Sequence, residues 1–202
     1  MERKPIIDRI EHEVQALQGN ATKDVSYSSE RTLASAADAR EAFKLAVSKL
    51  LNVDGWSGLS SLTADFQLHN ASGQPKPNGQ PQVGDYIRIA LPGPVPENWV
   101  RVSHIANAEN RVEFTVRPSH DPHHTNSGQI DHFFHKEAKS TFRIELLDQT
   151  ITASEIGQQE GINNQQPEAG NRAAINTVIA EGGWLGYQKF QWKLLTDYLV
   201  GL

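Results

Sequence analysis

The sequence predicts an α+β protein in which an antiparallel sheet of about six to seven strands is closed off by a long C-terminal helix and preceded by an N-terminal helix. Three observations carry this prediction. Short runs of alternating apolar and polar residues recur between turn-forming clusters. One early run, Phe43 to Leu51, has helical spacing instead, and the chain returns to helical spacing from Asn171 to its end.

The N-terminal helix rests on Pro5, which a first helical turn tolerates, and on Ile6, Ile7, Ile10, Val14 and Leu17, with Gly19 as its stop. Asp24 to Leu33, rich in Ser and Thr around Val25 and Tyr27, reads as a strand. Ser35 with Asp38 three residues on makes a helix cap, and Phe43, Ala46, Val47, Leu50 and Leu51 form the apolar stripe of the helix that follows. Asn52-Val53-Asp54-Gly55 ends it. Leu62, Ala64, Phe66 and Leu68 then alternate as a strand.

Ser72 to Gln82, polar and punctuated by Pro and Gly, is expected to be a loop or lid. Ile87, Ile89 and Leu91 alternate beyond it, and Pro92-Gly93-Pro94-Val95-Pro96 turns the chain into Trp99, Val100 and Val102. Arg111 to Arg117 is the clearest half-buried strand, with Val112, Phe114 and Val116 on one face. Phe142, Ile144 and Leu146 alternate likewise, Asp148-Gln149 turns, and Ile151 to Ile156 completes a hairpin. Gly157 to Gly170 reads as a linker. Ile175, Val178, Ile179, Leu185, Trp192, Leu195 and Leu199 trace the closing helix, with a kink expected near Gly182.

A chain of 202 residues suits one domain, here 1–202, with the N-terminal helix in 1–20, the strands and first core helix in 24–158 and the closing helix in 171–200. The formal net charge is -5 and the basic residues are scattered, so no footprint for nucleic acid is present. No run is apolar and long enough for a membrane span, and an anionic membrane is an unattractive partner. There is no cysteine, which excludes thiolate metal sites and Cys nucleophiles and suits a reducing compartment, so a cytoplasmic address is expected. Arg88, Arg101, Arg111 and Arg117 are expected on the outward face of their strands.

Setting the N-terminal helix aside, the order strand, helix, six strands, long terminal helix resembles the helix-grip fold of the START-like, or SRPBCC, superfamily. Ala37 to Trp56 looks like that family's early helical segment, and Gly183-Trp184 through Trp192 to Leu199 like its closing helix. The resemblance covers residues 24 to 202 and is one of topology rather than of a catalytic signature. It implies a sheet curved around the long helix and a cavity between them that takes a small apolar or amphipathic molecule.

Residues expected to face such a ligand are Phe66, Trp99, Phe114 and Phe142 from the sheet and Trp184, Tyr187 and Trp192 from the helix; a filled aromatic core is the competing reading. No cofactor is expected on this view. The other concentration of chemistry is histidine: His120, His123, His124, His132 and His135 fall within sixteen residues, and the three-residue spacings could bring imidazoles to one divalent transition metal. The Pro, Asn, Ser and Gly around them describe a solvated loop, the competing reading.

Enzyme signatures are missing: His12-Glu13-Val14-Gln15-Ala16 lacks the second His of a zincin helix, and Gly55-Trp56-Ser57-Gly58-Leu59 lacks the last Gly of a nucleophile elbow. Glu155 and Glu160 could serve as paired carboxylates but are expected at the solvated surface. The sequence therefore points to a binding protein before an enzyme. A metal-dependent enzyme built on the histidines is one alternative. The other is an interaction module whose N-terminal helix offers Ile6, Ile10, Val14 and Leu17 to a partner or, in a homodimer, to a sister subunit.

Overall fold

The structure is a computed structural model that describes residues 22–124, 129–164, 167–173, 176 and 184–202. The N-terminal helix and the kink near Gly182 lie outside the described residues. Seven strands, β1 (Lys23–Thr32), β2 (Asp65–His69), β3 (Tyr86–Ala90), β4 (Asn98–Ala108), β5 (Arg111–Pro118), β6 (Lys139–Leu147) and β7 (Thr150–Glu160), form one antiparallel sheet. Its order is β1-β7-β6-β5-β4-β3-β2. All strands after β1 pair with their neighbours in sequence, and β1 joins the far edge beside β7. The chain thus makes one long crossing, and the helix α1 (Ala36–Leu51) lies on it.

Ser35 caps α1 as the sequence predicts: its Oγ accepts from the backbone N–H of Asp38 at 3.1 Å, satisfying one donor that the first helical turn leaves open. Ala39, Phe43, Ala46 and Leu50 are its buried stripe and pack on the inner sheet face. A short 3₁₀ turn, Val53–Trp56, follows and drives Trp56 into the core. That ring sits 4.8 Å from Phe142, 5.5 Å from Phe66 and 5.8 Å from Phe114, and its Nε1 donates to the Lys49 carbonyl. From sequence Trp56 only opens a turn; in the fold it is the centre of the aromatic core.

The closing helix α2 (Trp184–Val200) covers the β1 and β7 side of the same face. Leu195 and Leu199 anchor it in the core. Ser29 of β1 ties it down, donating to Asp197 Oδ1 at 2.6 Å and sharing a hydrogen bond with Thr196 Oγ1 at 2.8 Å. At its C-terminus the Lys49 ammonium donates to the Tyr198 carbonyl, so a cation meets the negative end of the helix.

The segment expected to be a loop or lid is a loop. Its start is pinned by the His69–Pro75 bridge and its end by Lys76, which pairs with Asp85 at 2.8 Å. It packs against Pro122 and His123 at Gly73. None of it borders the inner cavity described below. The linker expected from Gly157 is instead, up to Glu160, the end of β7. No described helix is long and apolar enough to cross a membrane.

Candidate functional site

Register decides which side chains meet. Phe66, Ile89 and Asn98 lie opposite one another across β2, β3 and β4, as do Leu68, Ile87 and Val100. These face α1 and α2. The alternate residues Gln67, Arg88 and Trp99 face the other way, since side chains along a strand alternate between faces.

On the inner face an apolar cavity opens between the sheet and α2. Phe66, Ile87, Ile89, Val100 and Phe142 line it from the sheet, and Trp56 from behind. Tyr187, Gln188, Gln191 and Trp192 line it from α2. His132, Phe133 and Phe134 close one side. Its enclosed inner part has a volume of about 60 Å³, room for roughly four waters. The surrounding empty envelope of about 770 Å³ runs out through the mouth to solvent.

Of the residues expected to face a ligand, Phe66, Phe142, Tyr187 and Trp192 line this cavity. Two do not. Trp99 is on the outer face, with its ring 5.0 Å from His69 and 5.7 Å from His123, because it stands one residue away from the inward Asn98 and Val100. Phe114 faces inward but lies beneath Trp56 and Phe142, filling the core rather than edging the space. The Trp184 side chain lies outside the described residues.

The histidines are divided between the two faces. His123 and His124 are exposed, and both pair with Asp121, at 2.8 and 2.9 Å. His120 stands edge-on to Tyr86 at 6.0 Å, and His135 packs beside Gly161. His132 alone turns inward to the cavity wall. Phe133 N–H donates to Asn98 Oδ1, and Trp99 N–H to the Asp131 carbonyl, which stitches this connection to the start of β4. Among the described residues no three His, Asp or Glu side chains come together as a ligand set for a metal. The three-residue spacings that suggested convergence hold on a helix, and here the chain is irregular and stitched to β4.

His132 is neutral in the fold. Burial pushes its imidazole down to about 3, and the nearby Arg172 guanidinium acts the same way. Its Nδ1 accepts the Phe134 N–H at 2.9 Å, so the ring proton sits on Nε2.

Beneath α2 the structure corrects a second expectation. Glu155 and Glu160 are 0% and 2% exposed rather than solvated. Residues five apart on a regular strand would face opposite ways. The left-handed residue Gln159 (φ 54°) breaks the alternation and turns Glu160 inward beside Glu155. Gly157 leaves the room that the Glu160 carboxylate folds into: a Cβ there would lie 2.3 Å from Glu160 Oε1. Gln188 Nε2 donates to both Glu160 oxygens, at 3.0 and 2.8 Å.

Burial, more than any neighbour, raises both carboxyls: Glu160 to about 7, and Glu155 well above the usual range with Glu160 adding to the effect. The Ser140 hydroxyl favours the charged form of Glu155 only slightly against this. Tyr27, opposite Glu155 in the register, is raised to about 12 by burial and then by the two carboxylates. The fold thus holds two buried carboxyls side by side, both pushed up from the usual carboxylate range. The sequence offers Glu155 and Glu160 as a pair but not their burial, since the bulge that assembles them has no motif.

The fold and site together define a helix-grip α+β protein with an apolar cavity between sheet and closing helix. The sequence matches no protein-family model and no curated protein. Among solved structures, the chain is similar to a hypothetical protein from Helicobacter pylori, with 12% identity, 92% of each chain covered and a TM-score of 0.49. It is also similar to a point mutant of norcoclaurine synthase from Thalictrum in complex with a transition-state analogue, with 13% identity, 90% of this chain and 97% of that one covered, and a TM-score of 0.43. The ginseng major latex-like protein from Panax ginseng is similar at 11% identity, over 80% of this chain and 97% of that one, with a TM-score of 0.36. The fold class rests on the strand order and helix placement above, not on these likenesses.

Proposed function

We propose that the protein is a START-like, SRPBCC-type helix-grip protein that binds a small apolar or amphipathic molecule between the sheet and α2. One observation carries the reading: aromatic and aliphatic side chains of β2, β3, β4 and β6 leave an open-mouthed apolar cavity against α2 where a filled core would close it. The order strand, helix, six strands, closing helix supports the family assignment. The narrow inner part favours a slender ligand, and a bulkier one requires α2 or the 129–138 connection to shift.

Uptake of the neutral dye N-phenyl-1-naphthylamine, followed by its fluorescence, tests this. Ile89→Trp fills the cavity from β3 and is expected to weaken dye uptake about tenfold, while costing about 1–3 kcal/mol of stability for overpacking. Native mass spectrometry of freshly purified protein is expected to show a co-purifying small molecule. No dye uptake by the folded protein, or uptake untouched by Ile89→Trp, would overturn the reading.

A further inference from the structure

The cavity wall supplied by α2 is polar in an unusual way. Gln188, Gln191 and Trp192 stand three and four residues apart, on one face of the helix, and all three line the cavity. The two glutamines are 2% and 3% exposed. Each has one end of its amide engaged. Gln188 Nε2 is held by Glu160, whereas Gln191 Oε1 accepts from Ala64 N–H at 2.8 Å and from the Tyr187 hydroxyl at 3.3 Å.

The other ends have no partner among the described residues. Gln188 Oε1, Gln191 Nε2 and Trp192 Nε1 are all buried and unsatisfied. Turning the Gln191 amide over would set its NH₂ against the Ala64 N–H, so its present orientation is imposed by the sheet. A buried polar atom left unpaired costs about 1–3 kcal/mol, and native interiors keep few of them. Other unsatisfied atoms exist, at Glu155, Asn163, Arg172 and Asn176. None of those residues borders the cavity, whereas these three do.

We propose that these three atoms form the site that recognises the polar head of the ligand, and that the head is neutral and carries both an acceptor and a donor: a hydroxyl or a primary carboxamide on an apolar body. The ligand oxygen takes the N–H groups of Gln191 and Trp192, and its O–H or N–H donates to Gln188 Oε1. The apolar body lies along Phe66, Ile87 and Phe142. This rests on the reading of the cavity as a ligand site. A carboxylate head is disfavoured because the Gln188 amide leads directly to Glu160, with Glu155 beside it. An ammonium head is disfavoured because two of the three open positions are donors. Lys139, at the start of β6, is the one cationic residue among the described residues of the cavity lining, and an anion held by it is the competing arrangement.

The test uses the full chain loaded with N-phenyl-1-naphthylamine and four competitors with the same tail: decanamide, 1-decanol, decanoate and decylamine. Decanamide and decanol are expected to displace the dye at concentrations about tenfold lower than the two charged compounds, the difference that one or two buried hydrogen bonds make. Trp192→Phe keeps an aromatic ring, though a smaller one, and deletes the N–H. It is expected to weaken decanamide about tenfold more than it weakens the dye, which meets the same wall, and to lower the melting temperature by a few degrees for the lost ring volume, offset in part by removing an unpaired buried donor. Decanoate or decylamine binding as well as the neutral pair, or decanamide weakened no more than the dye in Trp192→Phe, overturns the proposal while leaving the cavity reading intact. Dye that never binds overturns both. The ranking of heads is read on the unaltered protein, so it stands even where the variant fails to fold.

Discussion

Glu160 and His132 give the molecule two opposed responses to pH. Glu160 releases its proton near pH 4.5 when unfolded and at about 7 when folded, so between these values the folded protein holds a proton the unfolded chain has lost. Stability from this source is complete below pH 4.5 and is lost as pH rises through 7. Lys23 lowers the Glu160 value, Asp24 raises it, and Glu155, Tyr27 and Gln188 are its other close neighbours. His132 runs the other way: neutral when folded down to about pH 3, it protonates near 6.5 when unfolded, and stability is lost as pH falls below 6.5. Above pH 6.5 only the carboxyls act. Glu160→Gln is therefore expected to reduce the loss of melting temperature between pH 6 and 7, where Glu160 still holds its proton in the fold, by an effect of about 1 kcal/mol, and to leave the part due to Glu155. Thermal melts across that range check it, and a variant with the parent's slope would refute it.

At the scale of elements, β7 is where local conformation and site chemistry meet. Its bulge at Gln159 is held open by Asp24, whose carboxylate accepts the Gln159 N–H at 2.8 Å. Gly157→Ala would place a methyl 2.3 Å from Glu160 Oε1 and 2.8 Å from Val25 Cγ2. That substitution is expected to cost about 1–3 kcal/mol and to expel the Glu160 carboxyl from its niche. Urea unfolding at pH 6 reads the first effect. Loss of the pH dependence ascribed to Glu160 reads the second. The outer face behaves as its alternation predicts: Arg88 pairs with Glu97, and Arg111 and Arg143 converge on Glu113, holding that carboxyl below the usual range against its burial. These cations are paired in place.

At the scale of the whole molecule, sheet and helices share one hydrophobic core, running from Leu50 and Trp56 through Phe114 and Ile144 to Leu195 and Leu199. A ligand that completes the unsatisfied α2 face binds only the folded state. Decanamide at a hundred times its dissociation constant is therefore expected to stabilise the fold by about 2.7 kcal/mol, which for a chain of this length raises the melting temperature by roughly 5–10 °C. Differential scanning fluorimetry against undecorated decane at its solubility limit checks it. An equal shift with decane would assign the gain to the tail alone.

The sequence by itself determined the class of fold and most of its elements. The Ser35 cap, the helical stripe from Phe43 to Leu50 and the alternation of Val112, Phe114 and Val116 are local patterns, and each survives in α1 and β5 with ends shifted by a residue or two. It also put Phe66, Phe142, Tyr187 and Trp192 on inward faces, and they line the cavity, because a residue on the apolar face of an element must meet the core. Only the tertiary structure decided the rest. A shift of one residue sends Trp99 outward while Val100 lines the cavity, and pairing register is a contact between distant segments. The stitching of 129–138 to β4 turned His132 inward and left His123 and His124 in solvent, and a single left-handed residue brought Glu160 under α2 beside Glu155. Burial and hydrogen-bond satisfaction belong to the assembled molecule, so the unpaired atoms of Gln188, Gln191 and Trp192 could not be seen before the sheet and the closing helix stood face to face.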